Sequence, residues 1–319
     1  MSKSEYNNSY FGILIHGGAD TKRIGQSTEK KDKIRRFLES SVSHGFDALK
    51  KDNTAIDSVE IAITCMEDSG VFNAGTGACL TIDKRIEMDA SIMDGRDISA
   101  GCVGMVKGIC NPIKLARQVM ERTDHVMIVS DGVNKIAKLS NMHIGLSSPN
   151  QQSLNKYYDI KRNMKNRWKK NNDLLFMALD HNNRNLGTVG AVAIDKEGNV
   201  ASGVSTGGRW LKMSGRIGDS AVIGGGFYAD NKSGAACATG NGEYIMRLCM
   251  CKYACDQMQS NNALLSSKRS IAVLTKRFGK NSGGIITVDH KGRFGVAYNT
   301  HTMPVASITS KDEKVKIVF

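Results

Sequence analysis

The stretch NLGTVGAVAIDKEGNVASGVSTGG, Asn185 to Gly208, sets a Gly-Thr pair, Gly187 and Thr188, where a polar, basic segment gives way to a near-continuous apolar strand. Two meanings compete for this pair. A β-branched threonine is an ordinary way to begin a strand, and for the dipeptide alone that is the commoner meaning. The other is that the chain is cut there and Thr188 becomes a new N-terminus. A threonine hydroxyl becomes a nucleophile when an amine activates it, and its own α-amino group can be that amine. With an ordinary pKa of about 7.7–8.0, this group is partly unprotonated near neutral pH, whereas a lysine at about 10.4 would need a large shift. The amine exists only once the Gly187–Thr188 bond is broken. A glycine on the acyl side helps, since it adopts strained conformations at little steric cost and leaves its carbonyl open to attack.

The same stretch continues as an apolar strand, a turn and a returning strand, and two other segments share that form: ACLTIDKRIEMDASIMDG and GGIITVDHKGRFGVAYNTH. They read as antiparallel hairpins, not as the alternating units of a parallel sheet. Phe11 to Ile15 is a buried strand leading into a tight His16-Gly17-Gly18 loop. Helices are expected over roughly Lys30–Lys51, then from Thr54 as N-cap to about Met66, and from Asn111 as N-cap with Pro112 in the first turn. Further helices are expected over Gly242 to about Met258 and Ala263 to about Arg277. This mixture implies an α+β fold, with two antiparallel sheets covered by helices on their outer faces. Between about 147 and 187 the periodicity is lost, and that segment reads as a flexible basic linker.

Composition narrows the function. At 319 residues and 40% apolar content the chain can bury a large core. No apolar run approaches the roughly 20 residues needed to span a bilayer, and no early run suits a secretory signal, so a cytoplasmic protein without membrane contact is expected. The eight cysteines lie in apolar or helical segments without a paired Cys-x-x-Cys frame, which agrees with a reducing compartment. The cluster Cys249, Cys251, Cys255 lacks a nearby histidine and reads as helix packing. A net charge of +13 invites a nucleic-acid reading, but much of the excess sits in the linker, where eight basic residues face three acidic ones between Gln151 and Gly187. With no nucleic-acid motif beside it, that run reads as a solvated segment, and no nucleic-acid partner is expected.

The motifs FNAGTGACLTIDKRIEMDASIMDG, GTVGAVAID, STGG, GRIGDSAVIGGGFYAD and ATGNGE occur in that order. Together they resemble the plant-type L-asparaginase / isoaspartyl peptidase family of N-terminal-nucleophile hydrolases, from Phe11 to about Asn299 with the linker excepted. The resemblance implies a four-layer αββα sandwich and self-cleavage into an α chain, 1–187, and a β chain, 188–319. It also implies a homo-oligomer of two such αβ units. Thr188 matches the nucleophile, and Thr206 a threonine whose hydroxyl bonds to it. Arg216 matches the arginine that grips the substrate α-carboxylate with its planar fork, and Asp219 the acceptor of the α-ammonium. Thr239 and Gly240 match an oxyanion site, Gly242 lines the amine side, and Asn73 matches the asparagine that orients the nucleophile's amine. Asn241 departs from the residue more usual there.

No cofactor is implied for the chemistry. The loop Met66 to Thr76 matches a structural sodium site made of backbone carbonyls, those of Met66, Glu67, Ser69, Phe72, Ala74 and Thr76. His16 reads as structural rather than as a base. The expected substrates are L-asparagine and isoaspartyl dipeptides, hydrolysed to aspartate through a threonine ester. Rival readings are a glycosylasparaginase, a protease specific for aspartate within a chain, and an uncleaved binding module for an anionic partner.

Overall fold

Phe11 to Ile15 runs into the larger sheet, and the apolar run is explained by cover on both faces of the strand it enters. A computed structural model describes residues 10–20, 28–142, 144–146, 148–168 and 187–319. Strand β1, Gly12–His16, is buried throughout and pairs antiparallel with β7, Val189–Ile194, on one side and β13, Val305–Thr309, on the other. The hairpin partner of β7 is β8, Val200–Thr206, and next come β2, Met88–Asp94, and β3, Ala100–Val106. Strand β14, Lys316–Val318, closes one edge, and β5, Met127–Val129, joins the other as the one parallel neighbour in this eight-stranded sheet. A second, four-stranded sheet runs β12, Phe294–Tyr298, to β11, Gly283–Asp289, to β10, Gly234–Gly240, to β9, Phe227–Asp230. Strands β4, Gly108–Ile109, and β6, Ile144–Leu146, form a small pair of their own.

Alternation along the strands divides the apolar side chains among three cores. Ile13, Ile15, Ala191, Ala193 and Ile92 pack with Leu38 and Val42 of helix α1, Thr28–Lys50, and Val59 and Ile63 of α2, Ala55–Asp68. Helices α3, Pro112–Arg122, and α4, Asp131–Leu139, extend the same core. The intervening residues Leu14, Val192, Ile194 and Val204 meet Phe227, Cys237, Ile286 and Val288 of the smaller sheet. Ala236, Ala238 and Ile285, on that sheet's other side, meet three more helices: α6, Gly242–Leu248, α7, Met250–Met258, and α8, Ala263–Phe278. The fold is therefore α+β with two sheets, as expected.

Several local signals are realised as read. Thr54 caps α2 in a full capping box with Asp57, and Pro112 opens α3. The β7–β8 and β11–β12 hairpins stand where their sequences put them. Asn111 occupies the N-cap position of α3, but its side chain bonds to Asp68 instead, and the Glu67 carboxylate accepts the Ile113 N–H at that helix end. The helix expected over Gly242–Met258 breaks at Cys249, whose left-handed φ of 46° turns the chain between α6 and α7. All eight cysteines are free thiols.

Two expectations are corrected. Residues 78–87 do not form the first arm of a hairpin: a single Leu80–Ile86 bridge remains, and β2 pairs with β3 and β8. The backbone of 80–82 is engaged instead by 211–212, with Leu211 N–H on the Leu80 carbonyl and Ile82 N–H on the Lys212 carbonyl. Nor is 147–187 a shapeless linker throughout, for Gln151–Trp168 is helix α5. Asn150 caps it by accepting the Ser153 N–H. The buried Tyr157 packs with Leu154 and Ile160 against Cys79, Leu80, Trp210 and Leu211 in a fourth, smaller core. That i, i+3, i+6 stripe is narrow, and the many polar residues around it conceal it in the sequence. Residues 169–186 lie outside the described part of the chain. No helix among the described residues is long and apolar enough to cross a membrane.

Candidate active site

Thr188 immediately precedes β7, and the hairpin register that pairs Val189 with Ser205 brings it beside Thr206, the last residue of β8. The Thr188 hydroxyl donates to Thr206 Oγ1 at 3.2 Å, and both side chains are nearly inaccessible, at 7% and 3% exposure. Thr206 Oγ1 also accepts the Gly208 N–H at 2.9 Å, which fixes the acceptor lone pairs toward Thr188 and the chain reversal after β8. Gly18, at a φ of 101° that a side chain would resist, lies against the Gly187–Thr188 bond: a Cβ there would fall 2.7 Å from Gly187 Cα and 3.1 Å from Thr188 N.

Thr239 and Gly240 arrive from the other sheet, at the end of β10. Thr239 is fully buried and its Oγ1 accepts the Ala19 N–H at 3.2 Å, so its own hydroxyl proton remains to be donated elsewhere. Gly240 has a φ of 153°, and any side chain there would run into the Ser282 carbonyl. Asn241 is buried, with its N–H on the Ser282 carbonyl, and Gly242 begins α6. Thr188, Thr206, Arg216, Asp219, Gly240 and Gly242 line one cavity, together with Gly187.

Arg216 and Asp219 are not the plain surface ion pair that their spacing alone allows. Arg216 is 17% exposed and binds Glu243, from Nε at 3.0 Å and Nη2 at 2.8 Å, while Arg209 stands 3.5 Å from the other Glu243 oxygen. Burial raises the Glu243 carboxyl, but Arg216 and Arg209 outweigh it and hold the pKa below the ordinary value. Asp219 is buried, and desolvation lifts its carboxyl to about 7, against the pull of Arg216. Two guanidinium groups with one shared carboxylate, beside a second buried carboxylate, suit a zwitterion: its carboxylate at the arginines and its ammonium at Asp219. Asp89, fully buried, holds this loop by accepting the Gly218 and Met105 N–H groups. Sequence reasoning missed Glu243, Arg209 and Asp89. Of these, Glu243 lies inside ATGNGE and Asp89 inside FNAGTGACLTIDKRIEMDASIMDG, while Arg209 directly follows STGG.

Asn73 is bound to the turn after Thr206 in the intact chain, where the amine it is expected to orient does not yet exist. In the intact chain its amide donates to the Gly208 carbonyl at 2.7 Å and accepts the Cys79 N–H at 2.8 Å, while its carbonyl accepts the Gly207 N–H. It thereby fastens the turn after Thr206, with its Cβ against Gly187. His16 is fully buried, and desolvation pushes its ring down to about 3, with only partial compensation from the Thr188 backbone, so it is neutral and unsuited to serve as a base.

The loop Met66 to Thr76 folds back on itself. The Met66 carbonyl accepts Ser69 Oγ, that of Glu67 accepts Thr76 Oγ1, that of Ala74 the Gly77 N–H, and that of Thr76 the Asn150 amide. Each of these oxygens keeps a second lone pair, and the Glu67 carboxylate is directed to α3. Desolvation raises that carboxyl to about 8, offset in part by bonds from Ser205 and Ile113. A neutral set of hard oxygens fits a monovalent cation better than a divalent one.

Residues 9–318 match the family model described as "Asparaginase". The chain is 42% identical over 300 residues to the plant-type L-asparaginase of Pyrococcus abyssi, covering 92% of this chain and 95% of the relative. It is 38% identical over 307 residues to the isoaspartyl peptidase/L-asparaginase of Xenopus laevis, covering 96% and 94%. Against the protein of that same name from Bos taurus it is 37% identical over 303 residues, covering 95% and 94%.

Proposed function

The chain belongs to the asparaginase family of hydrolases, and from that membership we propose that it cleaves itself between Gly187 and Thr188 and then hydrolyses L-asparagine and isoaspartyl dipeptides to aspartate. The observation that carries this reading is the buried Thr188–Thr206 hydroxyl pair, set in one cavity with Arg216, Asp219, Gly240 and Gly242. In maturation Thr188 Oγ attacks the Gly187 carbonyl, an ester replaces the amide and frees the Thr188 amine, and water then releases the α chain, 1–187, from the β chain, 188–319. The body so formed is a four-layer αββα sandwich, and two αβ units associate.

In turnover the substrate α-carboxylate sits at Arg216 and its α-ammonium at Asp219. Thr188 Oγ attacks the side-chain carbonyl while the Thr188 amine takes the hydroxyl proton. The tetrahedral oxyanion receives the Thr239 hydroxyl and the Gly240 N–H, and Thr206 holds Oγ in line. The amine passes its proton to the leaving nitrogen as the C–N bond breaks, leaving a β-aspartyl ester on Thr188. Water, deprotonated by the same amine, cleaves that ester, and the proton returns to Oγ. Asn73 keeps the turn that carries this machinery in place. A sodium ion held by the carbonyls of Met66, Glu67, Ser69, Phe72, Ala74 and Thr76 would stiffen the Asn73 loop and take no part in the reaction.

Aspartate release from L-asparagine, an isoaspartyl dipeptide and a glycosylated asparagine, measured side by side, tests the reading. The first two are expected to be hydrolysed and the third not; turnover of the third alone would assign the chain to the rival branch.

Asp219 gives this mechanism a pH signature. Its carboxyl faces Arg216, Glu243 and Asp89, and the net effect of its surroundings lifts it to about 7. The substrate ammonium requires the ionised form, so binding is lost as pH falls through that value. The Thr188 amine, at an ordinary pKa of about 7.7–8.0, must also be unprotonated and is lost in the same direction. The kcat/KM for asparagine should therefore fall steeply with acid below about pH 7, with a logarithmic slope between one and two. A profile flat to about pH 5.5 would contradict both assignments.

A further inference from the structure

Gly187 separates two cavities. On one side lies the space at Thr188, Arg216 and Asp219, of about 10 Å³, which is no more than one water requires. On the other lies a cavity of about 140 Å³, which Gly187 also lines. Its walls include Phe72 and Trp210, and among the described residues its charged lining is Lys30, Lys156 and Asp20. Gly187 and Asn73 are among its lining residues, but the reaction above places no substrate group in this second space.

Its position follows from the reaction. A substrate whose head group is held at Arg216 and Asp219, and whose carbonyl meets Thr188, must send its leaving nitrogen away from the small cavity. Once the Gly187–Thr188 bond is cut, the way past Gly187 leads into the larger one. For asparagine the leaving group is ammonia and needs no such room. For an isoaspartyl dipeptide it is an amino acid, with a side chain and a free α-carboxylate. Aromatic walls and, among the described residues, two ammonium groups to one carboxylate match those two features.

Lys156 comes from α5, and that helix is fastened independently of the scissile bond. Tyr157 is buried against Leu80 and Trp210 and donates its hydroxyl to the Ile82 carbonyl at 2.9 Å. Asn150 holds the Thr76 carbonyl at 2.8 Å, and Lys156 Nζ stands 4.9 Å from the centroid of the Trp210 ring. Cutting the chain after Gly187 breaks none of these contacts, so Lys156 stays at the cavity in the two-chain protein.

We infer that this cavity is the subsite for the leaving amino acid of an isoaspartyl peptide, with Lys156 receiving its α-carboxylate and Phe72 and Trp210 flanking its side chain. The inference rests on the reading of Thr188 as the nucleophile. What reads in the sequence as a flexible basic linker is thus a specificity element for one of two substrate classes.

The test uses full-length protein verified by mass as fully two-chain, with three substrates: L-asparagine, isoaspartyl-leucine and isoaspartyl-leucinamide, which lacks the carboxylate. Wild type should favour the acid over the amide by about tenfold in kcat/KM, the effect of one charge-assisted bond. Lys156→Met should erase that preference, chiefly by raising KM for isoaspartyl-leucine about tenfold, while kcat/KM for asparagine stays within about twofold. Lys156→Arg should restore the preference. Wild type that cleaves acid and amide equally, or a Lys156→Met variant that keeps the preference or loses asparagine turnover equally, would overturn the subsite and leave the nucleophile standing. Two-chain wild type that hydrolyses none of the three would overturn both.

Discussion

Thr188→Ala is expected to leave the chain whole: a denaturing gel should show one band for all 319 residues, where the wild type should give two. The substitution removes the Oγ that donates to Thr206 and deletes nothing else that the fold needs, since the backbone of Val189–Ile194 stays paired with β1 and β8. Secondary structure and cooperative unfolding should be retained. Hydrolysis of asparagine and of isoaspartyl dipeptides should fall by at least about 10⁴, as expected when a nucleophile that acts as a unit with its base is removed. Neither the attacking atom nor the activating amine then exists. Ammonia release with asparagine and gel analysis of the same preparation check both halves together. A variant that still splits at this bond would show that Thr188 is not the agent of scission.

Arg216→Lys separates the two reactions. In scission the acyl group is Gly187 of the chain itself, which carries no free carboxylate at Arg216, so maturation should proceed. In turnover the α-carboxylate must be gripped, and a lysine offers a point charge where the guanidinium offers a planar fork. The exchange also leaves Glu243 to Arg209 alone, at 3.5 Å, and loosens the frame that aims the site. The expected result is normal two-chain material whose kcat/KM for asparagine is lower by about 10²–10³, or about 2.7–4 kcal/mol of lost transition-state binding. Failure of scission in this variant would place Arg216 in maturation, and an unchanged kcat/KM would remove it from the substrate site.

The legible part of the molecule was local. The near-continuous apolar run after Thr188, the Thr54–Asp57 capping box and Pro112 at a helix start each encode their structure within a few residues, and each is realised. What the sequence hid depends on partners far along the chain. The segment 78–82 has the composition of a strand, yet its backbone is claimed by 211–212 and its side chains by α5. Helix α5 itself is masked by polarity, because one buried tyrosine and two aliphatic neighbours carry its attachment. At the site, the motifs point to Thr188, Thr206, Arg216, Asp219, Gly240 and Gly242, and these share one cavity. Glu243 and Asp89 escaped notice because their importance lies in what they orient, Arg216 for one and the Gly218 backbone for the other, and neither contact has a sequence spacing to announce it.

The working form of the protein is predicted to begin a chain at Thr188. Intact-mass measurement of wild-type material that is actively hydrolysing asparagine decides this most directly. Two components are predicted, one ending at Gly187 and one spanning Thr188 to Phe319 with an unmodified amine. A single active species running from Met1 through Phe319 would contradict it.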